Sequence, residues 1–136
     1  MEEIRVIHRD QDAFAIFIRD YVLQVDQPTR TGEQSGPTPV ELFVAGLAGC
    51  IAHFAYHHLK AKGLPYNGLE VGARYLLGGP PPQRVARLTF MLRPPSKLRE
   101  DDTREMIEAV RDCPITQSLQ TPPQLHIDLD EQAKAA

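Results

Sequence analysis

The chain has 136 residues, 42% of them hydrophobic and 24% charged, with a formal net charge of -3. These are the proportions of a globular protein rather than a disordered or membrane one. Lys and Arg are dispersed rather than clustered, which sets aside nucleic acid and anionic membrane as partners. A single domain over 1–136 is expected, because a chain of this length buries roughly two thirds of the surface its unfolded form exposes. The N-terminal MEEIRVIHRD has neither the basic start nor the apolar core of a signal peptide. A cytoplasmic location is therefore expected. Glutathione keeps thiols reduced there, so the two cysteines are expected to be free, catalytic or metal-binding rather than a permanent cross-link.

In chain order, residues 3–25 carry β-branched and aromatic clusters (IRVIH, FAIFI, YVLQV) broken at Asp10-Gln11-Asp12 and Arg19-Asp20, which predicts two or three short antiparallel strands. The polar DQPTRTGEQSG of residues 26–36 predicts an irregular loop. Thr38 and Glu41 have the spacing of a capping box and Pro39 suits a first helical position. Gly63 and Pro65 stop the helix, giving about six turns from Pro39 to Lys62. LEVGARYLL (69–77) and RVARLTFML (84–92) predict two strands across a Gly/Pro connection, the second burying Ala86, Leu88, Phe90 and Leu92. Helical spacing of Met106, Ile107, Val110 and Cys113 predicts an amphipathic helix over Leu98–Cys113. ITQSL is expected to be a short turn, and QLHIDLD (124–130) alternates as a last strand. The order βββ–α–ββ–α–β, with the strands segregated from one very apolar helix, predicts an α+β fold.

The central helix is the anomaly. Leu42, Phe43, Val44, Ala45, Leu47, Ala48, Ile51, Ala52, Phe54 and Ala55 cover its whole circumference, so it must be enclosed on all sides. Its apolar run, Leu42 to Tyr56, is too short to span a bilayer. A small domain struggles to surround six turns of helix alone, so a second copy of the chain is expected to help, as an intertwined homodimer. Gly46, Cys50, His53, Phe54 and His57 share nearly one face. Gly46 and Gly49 remove bulk beside the sulfur at a cost of up to about 1 kcal/mol each relative to Ala, which suggests close approach by a backbone or a ligand. Simple helix packing, with Cys50 as a small hydrophobe, accounts for the same pattern.

GPTPVELFVAGLAGC (36–50), followed by Cys113-Pro114-Ile115-Thr116, resembles the OsmC/Ohr family, the osmotically inducible and organic hydroperoxide resistance proteins, in its OsmC-like branch. The resemblance runs over most of the chain beyond residue 26. It implies an α+β fold of antiparallel sheets around a long buried helix, an intertwined homodimer and active sites at the subunit interface. It also implies that Cys50 is the peroxidatic thiol, that Cys113 resolves it as a disulfide, and that the activity is a stress-response peroxidase for organic hydroperoxides. An external thiol reductant, and no cofactor, would complete the cycle.

Only a thiolate attacks a peroxide. Burial alone would silence Cys50, so a cation or strong donor is needed nearby. The family's arginine corresponds to Arg30, whose fixed charge and forked donors suit a thiolate and a peroxide oxygen. Arg9 and Arg19 are weaker substitutes. The family holds that arginine with a glutamate, and Val40 occupies the matching position here. Glu41, one residue later, faces another side of the helix, where capping is its expected duty and support of the site an additional one.

Two alternatives stay open. One is a non-catalytic relative that binds a small apolar or thiol-reactive ligand, which Val40 favours. The other is a metal held by Cys50, His53 and His57, although three ligands from one helix rarely complete a tetrahedron, and no metal is expected. His57 and His58 are expected to be amphipathic residues near the helix end.

Overall fold

A computed structural model of the chain describes residues 2–130. Met1 and residues 131–136, which the expected single domain includes, lie outside the described residues. The N-terminal clusters form three strands, β1 (Arg5–Asp10), β2 (Ala13–Ile18) and β3 (Tyr21–Val25), as an antiparallel meander in that order. Gln11 and Arg19 take positive φ values of 49° and 53° in the two tight turns, the left-handed geometry that short hairpin connections require. Ala13, Ala15 and Val25 are buried, whereas Val6, Tyr21 and Val22 remain more than half exposed. The meander makes no extensive contact with any other helix or strand.

The loop after β3 folds back on it. The Asp26 N–H donates to the Pro37 carbonyl at 3.0 Å, and the Asp26 carboxylate accepts from the Ser35 N–H, the Ser35 hydroxyl and the Gln27 N–H. The Ser35 N–H, followed by those other donors, holds the Asp26 carboxyl below the usual carboxylate range. Gly36 has to be glycine here, because a Cβ would run into the Gln24 carbonyl.

The helix α1 spans Pro39–Ala61. Its start is the expected capping box: Glu41 N–H donates to Thr38 Oγ1 at 3.1 Å and Thr38 N–H donates to Glu41 Oε1 at 2.9 Å. Lys62 caps its end, and Gly63 follows at φ +68°. At 23 residues α1 is longer than its apolar run, and by length and composition it could cross a membrane. Packing accounts for one stripe of it, Val44, Leu47, Ile51, Ala55 and Leu59, where α1 lies on α2 (Glu100–Arg111) and on the strand β4 (Glu70–Gly78). Ile51, Ala55, Leu59, Met106, Val110 and Cys113 form the core there. Lys62 pairs with Glu105 at 2.8 Å across the same contact.

β4 pairs antiparallel with β5 (Arg84–Arg93). Leu88, Phe90 and Leu92 turn inward as expected, but Ala86 is exposed. The register explains the difference: Leu76 faces Arg87 and Leu77 faces Val85, so Ala86 is the extra residue of a bulge and alternation restarts at Val85.

Two further expectations are corrected. The expected turn at ITQSL belongs to a short helix, α3 (Pro114–Gln120), with Cys113 as its N-cap and Pro114 at its first position. The expected last strand, 124–130, has no strand structure, and Leu125, Ile127 and Leu129 are 83%, 86% and 87% exposed. Alternation makes a strand only where a sheet edge receives it.

The cap sets the helix that carries Cys50. Thr38→Ala removes the acceptor for the Glu41 N–H and is expected to destabilise the protein by about 1 kcal/mol in urea unfolding, while Thr38→Ser restores most of the loss.

Candidate functional site

Cys50 lies in the twelfth position of a 23-residue helix, half-buried. Cys113 is fully buried, at 0% exposure, where α2 ends and α3 begins. The packing of α1 on α2 and α3 brings these distant positions together, and the two thiols are hydrogen-bonded to each other. Both are free. Two sulfurs in contact can close a disulfide on oxidation without large movement of the chain.

Their environments differ. Burial pushes the Cys50 thiol above its ordinary range, and its hydrogen bond to Cys113 pushes it further, while the Ile115 N–H acts in the opposite sense. Burial also raises Cys113, but hydrogen bonds from the Thr116 hydroxyl and N–H outweigh it, together with those from the Cys50 thiol and the Ile115 N–H. The net effect is a Cys113 thiol held below the ordinary value. Thr116 Oγ1 stands 2.9 Å from Cys113 Sγ, and the Thr116 N–H donates to the same sulfur at 3.4 Å. A proton lost from the pair therefore leaves first from the Cys113 side.

An apolar groove of about 1010 Å³ is lined by Leu47 and Ile51 of α1, Phe90 and Leu92 of β5, and Met106 and Val110 of α2; neither cysteine is in its lining, but neighbours of both are. Ile51 follows Cys50 in sequence, and Thr116, bonded to Cys113, is itself in the lining. Arg111 and Lys97 supply cationic groups at its wall.

Arg30 is exposed in the loop after β3, makes no hydrogen bond or ion pair among the described residues, and contributes nothing to the shift of Cys50. Arg19 lies over the Tyr21 ring, 5.1 Å from its centroid, and Arg9 lines a separate polar cavity with Asp10 and Asp12. None of the three arginines is thus brought to Cys50 within one chain. Val40 offers no carboxylate, and the Glu41 carboxylate is engaged by the Thr38 N–H. A Cβ on Gly46 or Gly49 would meet nothing within 4 Å, so no backbone of the same chain makes the close approach these glycines suggest.

His53 and His57 stack edge to face with centroids 4.4 Å apart on an exposed face. No group of three or more His, Cys, Asp or Glu among the described residues is placed to hold a metal. The sequence reading gave no role to Thr116 or Arg111. The signal for Thr116 was its place three residues after Cys113, which is the N3 position once Cys113 is seen as a helix cap.

A sequence comparison with curated proteins gives no match. Solved structures share the fold. A protein of Psychrobacter arcticus described as an osmotic stress induced and detoxification response protein has a TM-score of 0.78 at 15% identity, over 87% of this chain and 88% of that one. An OsmC-like protein of Mycoplasma pneumoniae has a TM-score of 0.70 at 19% identity, over 88% and 87% of the two chains. The organic hydroperoxide resistance protein of Bacillus subtilis has a TM-score of 0.67 at 20% identity, over 89% and 93%. The sequence model described as OsmC-like protein matches residues 32–128, a span that takes in α1, both cysteines and the groove, and the chain therefore belongs to the OsmC-like protein family.

Proposed function

We propose that this protein is a thiol-dependent peroxidase for organic hydroperoxides. The observation that carries the reading is the direct contact of the Cys50 and Cys113 sulfurs, next to residues, Ile51 and Thr116, that line an apolar groove. The Cys50 thiolate attacks the outer peroxide oxygen, the O–O bond breaks, and the alkoxide leaves as the alcohol after taking a proton. The Cys50 sulfenic acid then meets the Cys113 thiolate, the S–S bond forms, and hydroxide leaves to become water. An external dithiol or lipoylated protein reduces the disulfide and is itself oxidised. The groove favours hydrocarbon-bearing hydroperoxides over hydrogen peroxide.

The functional unit is an intertwined homodimer in the cytoplasm. Support comes from the apolar surface one chain leaves open: Tyr21 and Val22 of the meander, Phe43 on α1, and the alternating Leu125, Ile127 and Leu129. Because Arg30 meets no Cys50 in its own chain, the activating cation is Arg30 of the partner subunit. A second reading, an apolar-ligand binder without turnover, is favoured by Val40 and by the raised Cys50 thiol. Absence of turnover together with a raised melting temperature on adding an apolar ligand would select it.

Three measurements test the proposal. In stopped flow with cumene hydroperoxide, Cys50→Ser is expected to lose all consumption with dithiothreitol present, whereas Cys113→Ser, mixed with the hydroperoxide in the absence of any thiol reductant, oxidises one equivalent and stops at the sulfenic acid. Undiminished consumption by Cys50→Ser rejects the assignment. The second is a pH profile. Burial and Cys113 raise the Cys50 thiol, and only its thiolate reacts, so the rate constant of Arg30→Ala is expected to keep rising with pH above neutrality. The wild-type rise falls at lower pH if the partner's Arg30 reaches the sulfur, and identical profiles dismiss that role. Third, light scattering at micromolar concentration is expected to give twice the chain mass, and a well-folded monomer refutes the dimer.

A further inference from the structure

We propose that Thr116 is a positioning residue for the sulfur pair: its hydroxyl and N–H, both directed at the Cys113 sulfur, favour the Cys113 thiolate and hold it aligned for disulfide closure. This rests on the peroxidase reading for its second half only.

The argument begins with what surrounds Cys113. The sulfur has 0% exposure, so water cannot solvate a negative charge on it, and an unassisted buried thiol would stay protonated. Four groups of the protein replace that water, the Ile115 N–H among them. Thr116 Oγ1 is 2.9 Å away, the Thr116 N–H donates at 3.4 Å, and the Cys50 thiol donates from the other side. Of these, the Thr116 hydroxyl is short, and it is the one a side-chain substitution can remove. A hydroxyl can donate or accept, but beside a thiolate only donation is favourable, so ionisation of Cys113 fixes its direction.

The hydroxyl is itself held in place. Thr116 occupies the third position of α3, behind Pro114, and the Cys113 sulfur caps that helix by accepting from the Thr116 N–H. The same turn therefore orients the donor and the sulfur together. Thr is also stiff at χ1, so its hydroxyl loses little freedom in making the contact.

The consequence for the reaction falls on disulfide closure. The Cys50 thiolate attacks the hydroperoxide, the O–O bond breaks, and the alkoxide leaves as the alcohol after taking a proton from solvent. Cys113 then gives up its proton to solvent, and its thiolate, stabilised by the two Thr116 donors, displaces hydroxide from the Cys50 sulfenic acid; the hydroxide takes a proton to become water. The sulfur pair gives up two electrons to the O–O bond, with no further redox partner until the external thiol acts.

The test separates the charge on Cys113 from turnover. In a Cys50→Ser background, ultraviolet absorbance at 240 nm reports ionisation of Cys113 without any peroxide. Adding Thr116→Val is expected to move that titration to higher pH, and Thr116→Ser, which keeps the hydroxyl, is expected to return it. Should valine disturb the packing of α3, as judged by circular dichroism, Thr116→Ala gives the same reading with less bulk. With both cysteines present, Thr116→Val is expected to slow disulfide closure after a pulse of hydroperoxide by about tenfold, the equivalent of one charge-assisted hydrogen bond, so that the sulfenic acid becomes trappable by dimedone. A titration unmoved by valine and alanine, or not returned by serine, overturns the inference. A titration that moves in a protein that consumes no hydroperoxide leaves the role of Thr116 toward Cys113 intact and rejects the peroxidase reading instead.

Discussion

The contact between two sulfurs from opposite halves of the chain is the constraint on which the rest depends. It exists because α1 and α2 pack through Ala55, Leu59, Met106 and Val110, all 9% exposed or less. Cys50 lies one turn before Phe54 on α1, and Cys113 follows Val110 by three residues, just beyond the end of α2. The two thiols thus sit at the edge of the same apolar seam. A shift of either helix along its axis would part the sulfurs before it exposed the core.

The seam also decides which thiol gives up its proton more easily. Both thiols are removed from water, which by itself favours the neutral form of each. The difference lies in the donors that α3 supplies. A chain that ended α2 without starting another helix would leave Cys113 as inert as any buried thiol. Because Cys113 is an N-cap, backbone donors that every helix start must satisfy are turned onto it. Cys50, in the middle of α1, has its own backbone fully engaged in the helix and receives almost nothing. The asymmetry of the pair thus follows from where each residue falls in its secondary structure.

Much of this was legible in the sequence, and the misses share a physical cause. The boundaries of α1 were readable because Thr38, Pro39, Glu41 and Gly63 act within a few residues of themselves. The meander and the β4–β5 pair were readable from alternation, except at Ala86, where a bulge set by the partner strand overrides the local period. α3 was missed because cysteine is not among the usual capping residues and seven residues give too little periodicity to see. The role of Thr116 depended on that helix and was hidden with it. Cys50 and Cys113 were singled out by resemblance to a family, since nothing local announces a contact between residues so far apart in sequence. The same holds for Arg30, whose place in a loop is evident but whose partner is not a neighbour in the chain.

What one chain leaves uncovered bears on the site directly. α1 buries Val44, Leu47, Ile51, Ala55 and Leu59 on one stripe, while Phe43, Gly46, Gly49 and His53 lie on the other. Cys50 stands at the border between them, half-buried. The surface that covers the second stripe in the proposed dimer must therefore pass beside the Cys50 sulfur, with Gly46 and Gly49 leaving it room. Closing the fold and finishing the site become one event. Dehydration of the second stripe strengthens every electrostatic contact at Cys50, including that of any cation the covering chain brings. A helix apolar on all sides and a thiol at the rim of its buried stripe are then two results of one design, in which the surroundings of the Cys50 sulfur are completed only when the apolar surface is covered.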